Sequence, residues 1–259
     1  MVADNPLFVG SLEKGFRVLK AFRRGQRELK LRDLSLMELA QLSGLDKSAT
    51  QRFTYTLHKL GYLEKSPRTR RYKPSVNLLE FSYAYLLSDR MAETAMPRLI
   101  EASKRYNTTV NLCELVDTHI VYTIRIPHER AAYRATIPGR RIPAFCSAGG
   151  VAILSRTPEQ QLVDTLERTE FSPITEWTIT EPRKVEARIK RARKKGYDLG
   201  VQQALPYEIS TAAPVLDTEG NAIAAVQIPV YMPEWTVEMA QEKIAPIVTD
   251  TARVISGSL

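Results

Sequence analysis

The sequence predicts an α+β fold: a winged helix-turn-helix at the N-terminus, a linker helix, and a domain of mixed helices and strands beyond it. Three observations carry that expectation. Two short amphipathic patterns meet at a tight Gly-containing turn, as a helix-turn-helix requires. A basic hairpin pattern follows at once. Residues 1–74 hold 16 Lys+Arg against 7 Asp+Glu, whereas residues 75–259 hold 21 against 22, so the excess behind the formal charge of +8 is wholly N-terminal. A length of 259 residues suits two domains, and we place the divisions at 1–74, 75–90 for the linker helix and 91–259.

Along the chain, SLEKGFRVLKAF sets Leu12, Phe16, Leu19 and Phe22 three or four residues apart, one stripe of a first helix, with Lys14, Arg17 and Lys20 on its other faces. Ser35 and Glu38 have the spacing of a capping box for a second helix with Leu36, Leu39 and Leu42 as its apolar positions, stopped near Gly44. Asp46 is the N-cap of a third, striped by Ala49, Phe53, Leu57 and Leu60 and ended at Gly61. Tyr62 and Leu63, a turn region at Ser66 and Pro67, and the run from Arg70 to Pro74 make the wing. Leu78, Phe81, Tyr85 and Leu86 then give the linker helix an apolar side suited to a partner subunit.

The second half opens with a helix over about 91–106 and two strands rich in Val, Ile, Thr and Tyr around an Asp117-Thr118 turn. Thr157 and Gln160 have capping-box spacing with Pro158 at the first helical position, and PRKVEARIKRARKK reads as a helix closed by Gly196. Strands in TAAPVLD and AIAAVQIPV flank a turn at 218–221, and a last helix starts near Thr236.

On the third helix the positions off the stripe include Lys47, Ser48, Thr50, Gln51, Arg52, Thr54, Tyr55 and Lys59. Gln bonds adenine N6 and N7, and Arg forks onto guanine O6 and N7, so Gln51 and Arg52 are the expected base readers. Lys47 and the small hydroxyls near the helix start are placed for phosphates. In the wing Arg68, Arg70 and Arg71 suit phosphates or a minor groove, with Lys65 and Lys73 as weaker candidates. Such charges also keep a hairpin edge soluble, and polar positions on an amphipathic helix are usually just solvated; it is their combination with the turn, the wing and the N-terminal charge that points to double-stranded DNA.

Composition excludes several classes. No apolar run is long enough to span a membrane, and MVADNPLFVG lacks the order of a signal peptide, so a cytoplasmic protein is expected. Cys113 and Cys146 form no CxxC, and with only His58, His119 and His128 there is no zinc spacing; neither metal nor cofactor is expected. A hydrolase built on Cys146 would need a base and an orienting group from the two histidines of that half. That hydrolase and an architectural DNA-binder without a ligand are the alternatives to a ligand-responsive regulator.

SLEKGFRVLKAF, LMELAQLSGLDKSATQRFTYTLHKLGYLE, the linker helix, GRRIPAFCSAGGVAIL, ITEPRKVEARIKRARKKGYDLG and TAAPVLDTEGNAIAAVQI, in that order, resemble the IclR family of bacterial transcription regulators over nearly the whole chain. The resemblance implies a winged-helix DNA-binding domain, a linker helix that dimerises it, and a C-terminal α/β domain of profilin-like or GAF-like topology that binds a small-molecule effector. It also implies a homodimer or homotetramer, repression or activation of a catabolic operon, an effector that is a small organic or aromatic acid, and no catalysis. Carried over by position, the effector residues are Phe145, Cys146, Ser147, Ala148 and Gly149 of one loop, with Gly200, Ser210 and Gln227. The chain departs from the family where acidic residues are common, at Gly200-Val201-Gln202-Gln203, and at Pro229, where a small hydroxyl residue is frequent. A neutral-walled pocket served by Ser210, Gln227 and backbone amides is the resulting expectation.

Overall fold

The computed structural model describes residues 5–128 and 138–259, which fall into two units, Met1–Ser88 and Asp89–Leu259, each with its own core. In the first, α1 (Gly10–Arg24) continues through a wide turn (Gly25–Leu29) toward α2 (Leu36–Ser43), α3 (Lys47–Lys59) and the hairpin strands β1 (Leu63–Lys65) and β2 (Tyr72–Pro74). The expected caps form. Ser35 Oγ accepts from the Glu38 amide at 3.3 Å while Glu38 Oε2 accepts from the Ser35 amide at 2.7 Å, and Asp46 Oδ1 accepts from the Ala49 amide at 2.8 Å. Gly44 takes φ +65°, the left-handed conformation that ends α2.

The turn is held from outside. The last carbonyls of a helix have no acceptor role within it, and here Arg17 of α1 donates to the Ser43 carbonyl at 2.6 and 2.9 Å and to that of Gly44 at 2.9 Å, while Arg24 donates to that of Leu42 at 2.9 Å. The buried face of α1 is accordingly rotated from the predicted stripe. Val18, Ala21 and Phe22 are buried, whereas Leu12 and Phe16 are exposed.

The wing is tied down as well. Tyr72 exchanges backbone hydrogen bonds of 2.8 Å with Leu34, and the Arg71 guanidinium reaches Asp33 Oδ1 at 2.8 Å and Glu38 Oε2 at 2.6 Å. After a tight turn (Val76–Leu78), α4 (Leu79–Ser88) follows with none of its residues buried. It is apolar on all sides, with Leu79, Phe81, Tyr83 and Leu87 exposed, in place of the single apolar side predicted.

The second unit runs α5 (Arg90–Tyr106), β3 (Val110–Val116), β4 (His119–Ile126), β5 (Arg141–Pro143), α6 (Ala148–Leu154), α7 (Glu159–Glu167), α8 (Pro182–Lys195), β6 (Asp198–Val201), β7 (Glu208–Leu216), β8 (Ala222–Tyr231), then α9 (Val237–Met239), a wide turn (Ala240–Ile244) and α10 (Ala245–Ser256). The six strands form one antiparallel sheet in the order β5-β4-β3-β8-β7-β6. α5 and α10 cover one face, packing on Leu112, Ile209, Val226 and Ile228; α6 and α8 cover the other, on Cys113, Ile120, Ala212 and Ala225. β7 and β8 are therefore buried on both faces, as the near-continuous apolar runs of such strands require.

A bulge sets the faces of the β3–β4 hairpin. Leu112 pairs with Ile124 and Cys113 with Tyr122, leaving Thr123 as the extra residue. Ile120 and Tyr122 consequently join the core under α6, while Ile124 joins the core under α5. Thr157 does not cap α7: its hydroxyl bonds the Ile153 carbonyl at 3.1 Å and Pro158 stands at the N-cap, because Thr157 is pulled into the core at the end of α6.

Arg71→Ala should cost the N-terminal unit about 1–3 kcal/mol, since it strips two carboxylates of a shared partner. Arg71→Lys should recover little of it, because a point charge does not reproduce the fork. Chemical denaturation of the full chain measures both.

Candidate functional site

The first candidate is the outer face of α3. Lys47, Ser48, Gln51, Arg52 and Tyr55 are all exposed and, at 100° per residue, lie on one side of the helix, opposite Phe53 and Leu57 on the core. Thr50 does not belong to this face. Both Thr50 and Thr54 are fully buried, their hydroxyls bonded to the carbonyls of Asp46 and Thr50 at 2.8 and 2.5 Å, so the small hydroxyl serves close packing and never reaches a phosphate. In the wing, Arg68 and Arg70 stand exposed at the turn, Arg70 at φ +61°. Arg71 is withdrawn from that set by Asp33 and Glu38. Lys73 pairs with Glu64 across the hairpin at 2.8 Å, and Lys65 lies over the Tyr72 ring at 5.0 Å.

The second candidate is a small cavity in the α6 side of the sheet, lined by Tyr122, Cys146, Ser147, Ala148, Gly200, Gln203, Ala204, Glu208, Ser210 and Gln227. It holds about 240 Å³ of empty space counted to its mouth, with about 10 Å³ open to the centre of a water-sized molecule. That is room for roughly one water, so a larger ligand enters only as side chains move aside. Sheet register builds the wall: Gly200 pairs with Ser210, and Ser210 with Pro229. Tyr122 donates to Gln227 Oε1 at 3.0 Å and Gln227 Nε2 donates to Ser210 Oγ at 2.6 Å, a buried relay across three strands.

Six of the eight predicted effector residues line this cavity, and two stand behind it. Phe145 is buried against Phe171, ring centroids 5.1 Å apart. Gly149 is inside α6, where a Cβ would come within 2.5 Å of Cys113 Sγ and 3.0 Å of Gln227 Oε1. Its bareness lets the Gln227 amide sit where it does. The neighbouring Gly150 is a packing residue: a Cβ there would lie 2.3 Å from the Ala144 carbonyl oxygen.

The expectation of a neutral wall is overturned by Glu208. Burial drives its carboxyl up to about 7, opposed by the nearby charges of Arg140 and Arg125. Tyr122, Ala204 and Glu208 are not legible in the sequence, and Gln203 only as part of the stretch where the chain departs from the family; the alternation of β7, which puts Glu208 on the side of Ser210, is the signal that exposes Glu208. Behind the wall Arg188 forks onto Asp198 at 2.6 and 3.1 Å with both side chains 5% exposed, and its guanidinium fills the place a Cβ at Gly200 would need. Burial pushes the Cys146 thiol up to about 12, which leaves it a packed thiol without nucleophilic thiolate character.

A helix-turn-helix with a basic wing, joined to an α/β domain with a small polar cavity, defines a DNA-binding regulator with a ligand-binding domain. Residues 83–257 match the family described as Bacterial transcriptional regulator IclR C-terminal, and residues 11–67 match the IclR helix-turn-helix domain. The chain belongs to the IclR family of transcription regulators, whose members are regulators and not enzymes. It is 27% identical to the Pca regulon regulatory protein of Pseudomonas putida over 98% of this chain and 86% of that one. The crystal structure of a transcriptional regulator from Rhodococcus sp. RHA1 superposes with a TM-score of 0.80 at 27% identity, covering 97% and 98% of the two chains. An IclR homologue from Microbacterium hydrocarbonoxydans, complexed with 4-hydroxybenzoate, shares the fold with a TM-score of 0.76 at 18% identity, covering 96% and 98%. No helix among the described residues is long and apolar enough to cross a membrane.

Asp198→Ala should destabilise the second unit by about 3–5 kcal/mol by leaving Arg188 buried and unpaired, and Arg188→Met added to it should recover much of the loss. Glu208 has the opposite sign from a paired carboxylate. Its folded value lies above the unfolded one, so its contribution to stability is full below about pH 4 and is lost as pH rises to 7. Glu208→Gln should therefore gain on the wild type in thermal melts as pH rises from about 4.5 to 7, and the difference should stay constant above that.

Proposed function

We propose that the chain regulates a catabolic operon in the cytoplasm, binding double-stranded operator DNA through α3 and the wing and responding to a small organic or aromatic acid held in the Tyr122–Ser210–Gln227 cavity. Gln51 and Arg52 read bases, while Lys47, Ser48, Tyr55, Arg68 and Arg70 contact phosphates. The observation that carries the DNA reading is the gathering of those α3 residues on one exposed face. A homodimer, or a tetramer made from it, is supported by the apolar surface of α4 with Leu12 and Phe16, more than a lone soluble unit ordinarily exposes. Two copies then meet a roughly palindromic site. An aromatic acid is supported by the 4-hydroxybenzoate held by the Microbacterium homologue and by the cavity's polar wall.

The test is fluorescence anisotropy of the full chain on DNA from upstream of its own gene and on random DNA. Arg52→Ala should cost about 1–3 kcal/mol on the cognate site alone and relax one base position. Arg70→Ala should weaken both DNAs alike and lower the salt slope by about one. Equal losses from Arg52→Ala on both DNAs would remove it from the readers.

A further inference from the structure

The cavity's polar groups are mostly engaged with one another. Tyr122 serves Gln227, Gln227 serves Ser210, and the Gln203 side chain bonds the Ile179 amide at 2.9 Å and the carbonyls of Trp177 and Val201 at 2.7 and 3.1 Å. Glu208 differs. It begins β7 on the cavity side, is only 9% exposed, and its carboxylate receives no hydrogen bond from the described residues. A buried acceptor without a donor is unfavourable unless something else brings one. Arg125 and Arg140 act on the same carboxylate electrostatically and would repel a cationic donor, which leaves a neutral one. A single water fits that place as the cavity stands, and a ligand that moves the side chains aside and displaces it would bring a hydroxyl as the equivalent neutral donor. The Ser210 hydroxyl, whose oxygen is taken by Gln227, keeps its own proton to offer the ligand's acid group.

We propose that Glu208 is a specificity residue that accepts a hydrogen bond from a ligand hydroxyl, so that the effector class is a hydroxylated acid. The proposal rests on reading the cavity as the effector site. Nothing in the predicted neutral wall would have made this distinction; a carboxylate there discriminates between an acid and its hydroxylated counterpart as a neutral wall does not.

Calorimetry on the full chain at about pH 8, above the value to which burial raises Glu208, tests it with two matched pairs: 4-hydroxybenzoate against benzoate, and 3-hydroxybutyrate against butyrate. In at least one pair the hydroxylated member should bind tenfold or more tightly, roughly what a hydrogen bond to a charged group supplies. Glu208→Val, which places a strand-favouring apolar residue on the wall, should bring the two members of that pair together, and Glu208→Gln should retain part of the preference. Ser210→Ala and Gln227→Ala report on the cavity itself and should weaken both members. If those two leave binding untouched, the cavity is not the effector site. If they weaken it while the wild type shows no hydroxyl preference, or the preference survives Glu208→Val, the role of Glu208 alone falls. Binding of no member by the wild type overturns it also.

Discussion

Burial of both faces of β7 and β8 governs the second unit. A strand covered on one side can send its polar residues to water, but a strand covered on both must pair each of them or leave it exposed to a cavity. Gln227, Ser210 and Tyr122 satisfy this by forming a relay with one another, Gln227 and Ser210 from adjacent strands and Tyr122 reaching over β3. Gly149 makes the relay possible, since a Cβ there would meet Cys113 Sγ and Gln227 Oε1, and Gly200 makes room for the Arg188 guanidinium behind the wall. The cavity is thus a by-product of packing constraints that meet at one corner of the sheet. Among the described residues the constraint is left open at Thr211 of β7, whose buried hydroxyl finds no hydrogen-bond partner, whereas Glu208 meets it by opening onto the cavity.

Guanidinium groups do comparable work in the first unit. Arg17 and Arg24 satisfy the end of α2, and Arg71 joins the wing to the start of it. These three belong to the basic excess that marks the segment as DNA-binding, yet each is occupied by the protein's own acceptors. The number of positive charges in the segment therefore overstates the number available to phosphates. What the excess describes is a helix-turn-helix whose spacing is fixed by arginines, with Lys47, Arg52, Arg68 and Arg70 exposed on its outer side.

The sequence made the hydrogen-bonded punctuation legible. Ser35 with Glu38, Asp46, Gly44, Gly61, Gly196 and the Asp117-Thr118 turn are local devices, and each sits where its chemistry placed it. Legibility failed where tertiary packing decides. α6 reads AGGVAIL, with no polar side to give a helical period, because every residue of it is buried. β5 and β6 have three and four residues, too short for alternation to show. On α3, Thr50 and Thr54 look like polar face residues; they are buried, on a helix that packs against α1 and α2, with their hydroxyls turned back onto the helix's own carbonyls. The loop at 145–149 is assigned to an effector only by likeness to a family, and Glu208 is hidden because LPYEIS resembles a turn until the pairing of Glu208 with Tyr231 shows it to be strand.

The extra residue in β4 matters beyond its own hydrogen bonds. Thr123 shifts the alternation of the strand by one, which is what allows Tyr122 to face the cavity and Ile124 to face the α5 layer. Substitution at Thr123 leaves that count intact whatever the side chain. Its removal would even leave a regular ladder, with Tyr122 and Ile124 as neighbours that still face opposite layers, across from Cys113 and Leu112. The chain therefore tolerates one residue fewer at this point, while one residue more would need a second irregularity or send one segment to the opposite layer.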